Sequence, residues 1–166
     1  MTPGQVWGAS AEEIAARMPC DSALSRRALV CDRAVSIDAP PTVVFAWLCQ
    51  LRVAPYSYDL LDNFGHRSPR ERDPELTKLA VGQRFMGLFD LAGFTPGEQI
   101  TLGSSHVAVT YAVRPTAGAG SRLHVRALLG WPRWIAVPLA FGDLLMMRKQ
   151  LLTLKELAER EVRSAV

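Results

Sequence analysis

Between Gln83 and Leu129 the chain places four strand candidates, Gln83 to Phe89, Glu98 to Leu102, His106 to Arg114 and Arg122 to Leu129, with only short connections between them. After them comes one apolar-striped stretch from near Pro138 to about Val162, some 25 residues or roughly 37 Å as a helix. This order narrows the fold more than any single motif does. Strands joined by hairpin-length connections pair antiparallel, and a sheet with one apolar face must bury that face. Only the final helix is long enough to cover it. The expected class is therefore α+β, a curved antiparallel sheet around a long C-terminal helix.

The strand readings rest on period-two alternation. Val107, Val109, Tyr111 and Val113 share one face, as do Leu123, Val125, Ala127 and Leu129, with the Gly- and Ala-rich segment Pro115 to Ser121 as the turn between them. Leu29 to Ile37 alternates in the same way, with Leu29, Cys31, Val35 and Ile37 apolar, and reads as the first strand. Arg33 breaks its apolar face. It is either a snorkelling edge residue or a group directed into a polar part of a pocket.

Asp38-Ala39-Pro40-Pro41-Thr42 is a helix-entry signal, since proline at the first helical position loses no needed hydrogen bond. Val44, Trp47, Leu48 and Leu51 then give an inward face. A second short helix or turn runs to about Asn63 and stops at Gly65, and His66 to Leu79 is a loop with one helical turn. At the N-terminal end, Ser10-Ala11-Glu12-Glu13 has capping-box spacing for a short helix to about Met18, ended by Pro19. In the final helix Leu144, Met147, Leu151, Leu154 and Ala158 form the core stripe, widened by Phe141, Leu145 and Leu152.

With 166 residues, 49% of them apolar, the chain supports one sizeable core. Nineteen Lys and Arg against sixteen Asp and Glu leave a net charge of +3, but the two signs interleave, so no nucleic-acid partner is expected. Cys20, Cys31 and Cys49 form no CxxC pair and no closed disulfide framework, which fits a reducing, cytoplasmic location; residues 1–10 carry no signal-peptide pattern. The apolar run Ala127 to Met147 raises a membrane question, yet Pro132, Pro138, Gly130 and Gly142 suit a strand end, a turn and a buried helix start better than a span. Membrane contact is the less favoured alternative.

His66, His106 and His124 lack paired ligand spacing, so neither a metal nor any other cofactor is expected. No Gly-x-Ser-x-Gly elbow or phosphate-cradling loop is present. Candidate site residues gather instead in Tyr56, Tyr58, Asp59, Asp62 and His66, where a phenol or imidazole beside a carboxylate can orient a ligand or move a proton, or where the same groups simply cap turns. Tyr111 shares parity with its strand's apolar set and points inward, whereas His124 and Arg126 lie on the opposite face and are expected in solvent. Trp131 and Trp134 bracket the start of the last helix as packing anchors or as a pocket rim.

The segment Ser36-Ile37-Asp38-Ala39-Pro40-Pro41-Thr42-Val43-Val44-Phe45-Ala46-Trp47-Leu48 resembles the first-strand-to-helix junction of the SRPBCC superfamily, the START-like, Bet v 1-like and polyketide cyclase/dehydrase-like proteins. Tyr56-Ser57-Tyr58-Asp59 with Asp62-Asn63, Val81-Gly82-Gln83-Arg84, and Asp143 followed by Met147-Arg148-Lys149-Gln150-Leu151-Leu152 resemble an actinobacterial-type subgroup of it that is mostly unassigned in function. The resemblance implies a helix-grip fold over residues 28–166, with residues 1–27 as an added helix and connector, and a hydrophobic cavity whose mouth is bordered by the two short helices. It implies an apolar small-molecule ligand, lipid-, sterol- or polyketide-like. The ligand set expected from parity and position is Arg33, Tyr56, Tyr58, Asp59, His66, Phe85, Tyr111, Trp134, Phe141 and Leu145. A cyclase, dehydratase or isomerase acting in the same cavity is the alternative, and a protein- or membrane-contact module built on Trp131 to Trp134 a third.

Overall fold

The computed structural model describes residues 4–25, 27–57 and 68–165. Seven strands form one sheet in the order β1-β2-β7-β6-β5-β4-β3. They are β1 (Val6–Trp7), β2 (Leu29–Ile37), β3 (Arg84–Phe85), β4 (Phe89–Thr95), β5 (Gln99–Gly103), β6 (Val107–Pro115) and β7 (Ser121–Leu129). Every pairing is antiparallel except that of β1 with β2, so the sheet is mixed. Helices α1 (Ala11–Ala15) and α2 (Pro41–Cys49) precede the strand run, and α3 (Arg133–Ser164) follows it. A curved, unclosed sheet packed against one long C-terminal helix is the helix-grip arrangement.

The parity of the strands settles which face carries the core. Leu29, Cys31 and Ile37 of β2 meet Leu123, Val125, Ala127 and Leu129 of β7, then Val109, Tyr111 and Val113 of β6, Ile100 and Leu102 of β5, and Leu91 of β4. Against them pack Val44, Trp47, Leu48 and Leu51 from α2 and its extension, and Ala136, Ala140, Met147, Leu151, Leu154 and Ala158 from α3. Helix α3 lies chiefly along β2 and α2.

Several elements differ from the sequence reading: strand β1 lies within a segment read as helix and connector, and α1 ends at Ala15 rather than near Met18, with Pro19 opening a separate turn. The segment Gln83 to Phe89, expected as one strand, is instead the short β3, a turn and the first residue of β4, which runs on to Thr95 with a bulge between Leu91 and Gly93 that resets its alternation. Helix α3 begins at Arg133, five residues before Pro138, which sits inside it. A proline near a helix start forfeits one backbone hydrogen bond, here the one its amide would have made to the carbonyl of Trp134. Finally, Phe141, Leu145 and Leu152 do not widen the buried stripe of α3; all three are exposed.

The outer face of the sheet is not left to water. Residues 4–24 wrap the β2 edge and cross that face, where Met18 and Cys20 pack with Ala108, Ala112 and Leu128 in a second, smaller apolar cluster. The capping box of α1 is formed as its spacing predicts, Ser10 and Glu13 exchanging side-chain and backbone hydrogen bonds.

Candidate functional site

Among the described residues two polar assemblies lie inside the molecule, one on each face of the sheet. The inner one begins with Tyr111, carried inward by the parity of β6. Its phenol donates to Gln150 Oε1 of α3 at 2.8 Å and stands 3.8 Å from Met147 Sδ. Gln150 Nε2 in turn donates to the carbonyl of Pro55 at 2.6 Å and reaches Met86 Sδ at 3.5 Å. Tyr56 and Met86 beside this junction both hold positive φ, 54° and 50°, an unusual conformation for residues with a side chain. Tyr56 also meets Trp47 edge to face at 6.1 Å.

Burial pushes the Tyr111 phenol far above its ordinary range, and the nearby charge of Asp143 pushes it further; the bond to Gln150 offsets only part of this. The group is a hydrogen-bonding phenol at every physiological pH.

Arg33 and Asp143 make the second part of the inner assembly. Arg33 is 1% exposed. Its guanidinium donates to Asp143 Oδ2 at 3.2 Å, to the carbonyls of Gly4 at 2.6 Å, Gln5 at 2.5 Å and Ala140 at 3.4 Å, and to its neighbour Asp32 O at 3.0 Å. One side chain thus joins the N-terminal segment, β2 and α3. Burial raises the Asp143 carboxyl above the usual carboxylate range, with Arg33 pulling the other way.

The outer assembly corrects the solvent placement expected for His124 and Arg126, which are 3% and 4% exposed. Both converge on Asp32 Oδ1, His124 Nε2 at 2.8 Å and Arg126 Nε at 2.9 Å. The remaining donors of Arg126 go to the carbonyls of Glu13, Ile14 and Ala16 and to Asp21. Arg122 adds an ion pair to Glu13 at 2.7 Å. Strand parity gave the correct face, but the N-terminal segment covers it. A cleft of about 430 Å³ remains between that segment and the sheet, lined by Val6, Ile14, Val30, Asp32, Arg126 and Leu128 among others.

Of the expected ligand residues, Arg33, Tyr56, Phe85 and Tyr111 are buried within the core face. Trp134, Phe141 and Leu145 are 78%, 55% and 48% exposed along α3. Tyr58, Asp59 and His66, and Asp62 beside them, lie outside the described residues. Gln150 and Asp143 were missed as site residues, although a signal for them exists. Both fall on the inner stripe of α3, where a polar residue between Ala140, Met147, Leu151 and Leu154 needs a buried partner. The three cysteines are free and buried, and burial holds Cys31 and Cys49 up at about 11, so neither is a thiolate nucleophile near neutrality. Among the described residues no group of three or more His, Cys, Asp and Glu side chains is gathered as a metal site.

No protein-family model matches the chain, and no curated protein matches it in sequence. Solved structures do. Protein CV1439 from Chromobacterium violaceum is similar over 78% of this chain and 96% of its own, at 17% identity and a TM-score of 0.50. The chain has a helix-grip α+β fold. Other similar structures are MLL2253 from Mesorhizobium loti, at 21% identity over 78% of this chain and 97% of that one with a TM-score of 0.48, and the Polyketide_cyc-like protein Cgl2372 from Corynebacterium glutamicum, at 13% identity over 83% and 96% with a TM-score of 0.49. At these identities the likeness is one of helix-grip architecture alone.

Proposed function

We propose that this protein binds an apolar small molecule against the inner face of the sheet beneath α3. The observation that carries the reading is the Tyr111–Gln150 pair. It is a polar junction set among the buried apolar side chains Phe85, Leu91, Ile100, Leu102 and Val125, with Arg33–Asp143 as the other polar pair on that face. Mostly apolar walls with a few fixed polar groups are the usual chemistry of small-molecule sites. The phenol oxygen, having given its proton to Gln150, still has acceptor capacity for one ligand hydroxyl or amide hydrogen. Because burial keeps Tyr111 protonated, its part is recognition, and ligand carriage follows more naturally than proton transfer.

Native mass spectrometry of the purified protein, together with fluorescence titration using anilinonaphthalene sulfonate, tests this. A retained apolar adduct, or saturable dye uptake weakened about tenfold by Tyr111→Phe, is the expected outcome. A protein that carries no adduct and takes up no dye under native conditions would refute the reading.

A further inference from the structure

The first half of α3 presents to the outside a face that a solvated helix does not carry. At 3.6 residues per turn, positions 134, 138, 141, 145 and 152 fall within about 60° of one another. They are Trp134, Pro138, Phe141, Leu145 and Leu152, all exposed, and Leu139 and Met146, about 80–100° further round, are also exposed at 42% and 39%. Further along the same side the helix changes character, with Glu156, Arg160 and Arg163 in the outward positions. The apolar face therefore ends by Leu152, before the charged second part of the helix.

The charges around it are of one sign. From Arg133 to Lys155 the helix carries Arg133, Arg148, Lys149 and Lys155 against the single acid Asp143, which is turned inward onto Arg33. Arg133, Arg148 and Lys149 are exposed, and among the described residues none of the three has an acidic partner. Arg148 lies over the Trp7 ring at 5.7 Å, which holds its cation beside the apolar face. Arg133 occupies the first turn of the helix, where the backbone dipole disfavours a cation and no acidic residue compensates it. Its charge is misplaced for stability alone.

No helix of the described residues is long and apolar enough to cross a membrane. We infer that the Trp134–Met146 face of α3 docks onto the surface of an anionic phospholipid bilayer. Its aromatic and aliphatic side chains enter the boundary between headgroups and acyl chains, and Arg133, Arg148 and Lys149 meet the lipid phosphates. An amphipathic helix with this composition gains from both contributions, and the cations favour anionic over neutral lipid. The inference does not depend on the interior binding reading, and either can fail without the other.

Co-sedimentation with vesicles of phosphatidylcholine alone and of phosphatidylcholine with 30% phosphatidylglycerol (~ as a mole fraction) is the test. The expected result is binding to the anionic vesicles only, weakened at least tenfold by Phe141→Ser with Leu145→Ser, and several-fold by Arg133→Gln with Lys149→Gln or by raising the salt. These side chains are exposed, so thermal melting of the variants should match the parent and exclude misfolding as the cause. Equal binding of the apolar variant, or no binding to anionic vesicles, would overturn the inference. So would concentration-dependent dimerisation abolished by Phe141→Ser, which would show that a second copy covers the face.

Discussion

Arg33 of β2 and Asp143 of α3 meet at 3.2 Å inside the molecule, and the same guanidinium gathers the carbonyls of Gly4, Gln5 and Ala140. A buried pair of this kind is costly to break by halves, because the partner left behind remains a desolvated charge. Arg33→Met is expected to lower stability by about 3 kcal/mol in urea unfolding, with the pair Arg33→Met and Asp143→Leu recovering a large part of the loss. A single variant within about 0.5 kcal/mol of the parent would show that the pair holds nothing together.

The N-terminal segment is fixed at a second point by close backbone approach. Gly8 sits at φ +71°, and a Cβ added there would lie 2.2 Å from the carbonyl oxygen of Ala34. Gly8→Ala should therefore cost 2 kcal/mol or more (~ as an order of magnitude) and loosen the segment over the outer face. Cys20 reports on this. Its amide is held by Thr110 Oγ1 at 3.1 Å, and burial raises its thiol above the ordinary range. Iodoacetamide should label Cys20 slowly in the parent and faster in the variant, while Cys31 and Cys49 stay protected in both. Unchanged labelling of Cys20 would mean that the segment does not open when Gly8 is lost.

The contrast between these two attachments shows what the sequence can and cannot convey. Alternation in β2, β6 and β7 was legible because the side-chain period of a strand is local, and it correctly separated Tyr111 from His124 and Arg126. What covers each face is not local. Arg126 finds Glu13, Ile14, Ala16 and Asp21 from more than a hundred residues away. No spacing rule reaches that far, so a buried ion cluster read as a solvated edge. The extension of β4 was hidden by its bulge, and the true start of α3 by Pro138. Gln150 and Asp143 were visible as polar breaks in an apolar stripe, but their partners were not.

The Glu13–Arg122 pair makes the N-terminal attachment sensitive to acid. Glu13 accepts from Arg122 Nε at 2.7 Å and Nη2 at 2.9 Å and from its capping partner Ser10 N at 2.7 Å. The Arg122 hydrogen bond is the largest cause holding its carboxyl down, from 4.5 to about 2. A depressed carboxylate stabilises the native state fully above its unfolded pKa, and that contribution is lost as pH falls from 4.5 toward about 2. Unfolding measured across this window should show Glu13→Gln losing about 2 kcal/mol less than the parent between the two ends, allowing for partial exposure. Identical pH slopes for both proteins would count against the assignment.

The Tyr111–Gln150 junction makes the sharpest demand on the interior. Tyr111→Phe removes the phenol and leaves Gln150 Oε1 buried with one partner fewer, whereas Gln150→Met removes the amide and strands both the phenol and the Pro55 carbonyl. Each single change should cost about 1–3 kcal/mol, the glutamine change more because it orphans two groups. The double variant should cost less than the sum, by about 1 kcal/mol, since the second change removes a group that the first had already left without its partner. Met in place of Gln150 keeps the volume of the inner stripe close to native, so the difference reads polarity rather than a void. Strict additivity in a double-mutant cycle would mean that the two side chains do not interact energetically, and the polar junction that marks the inner face would lose its claim to be a binding feature.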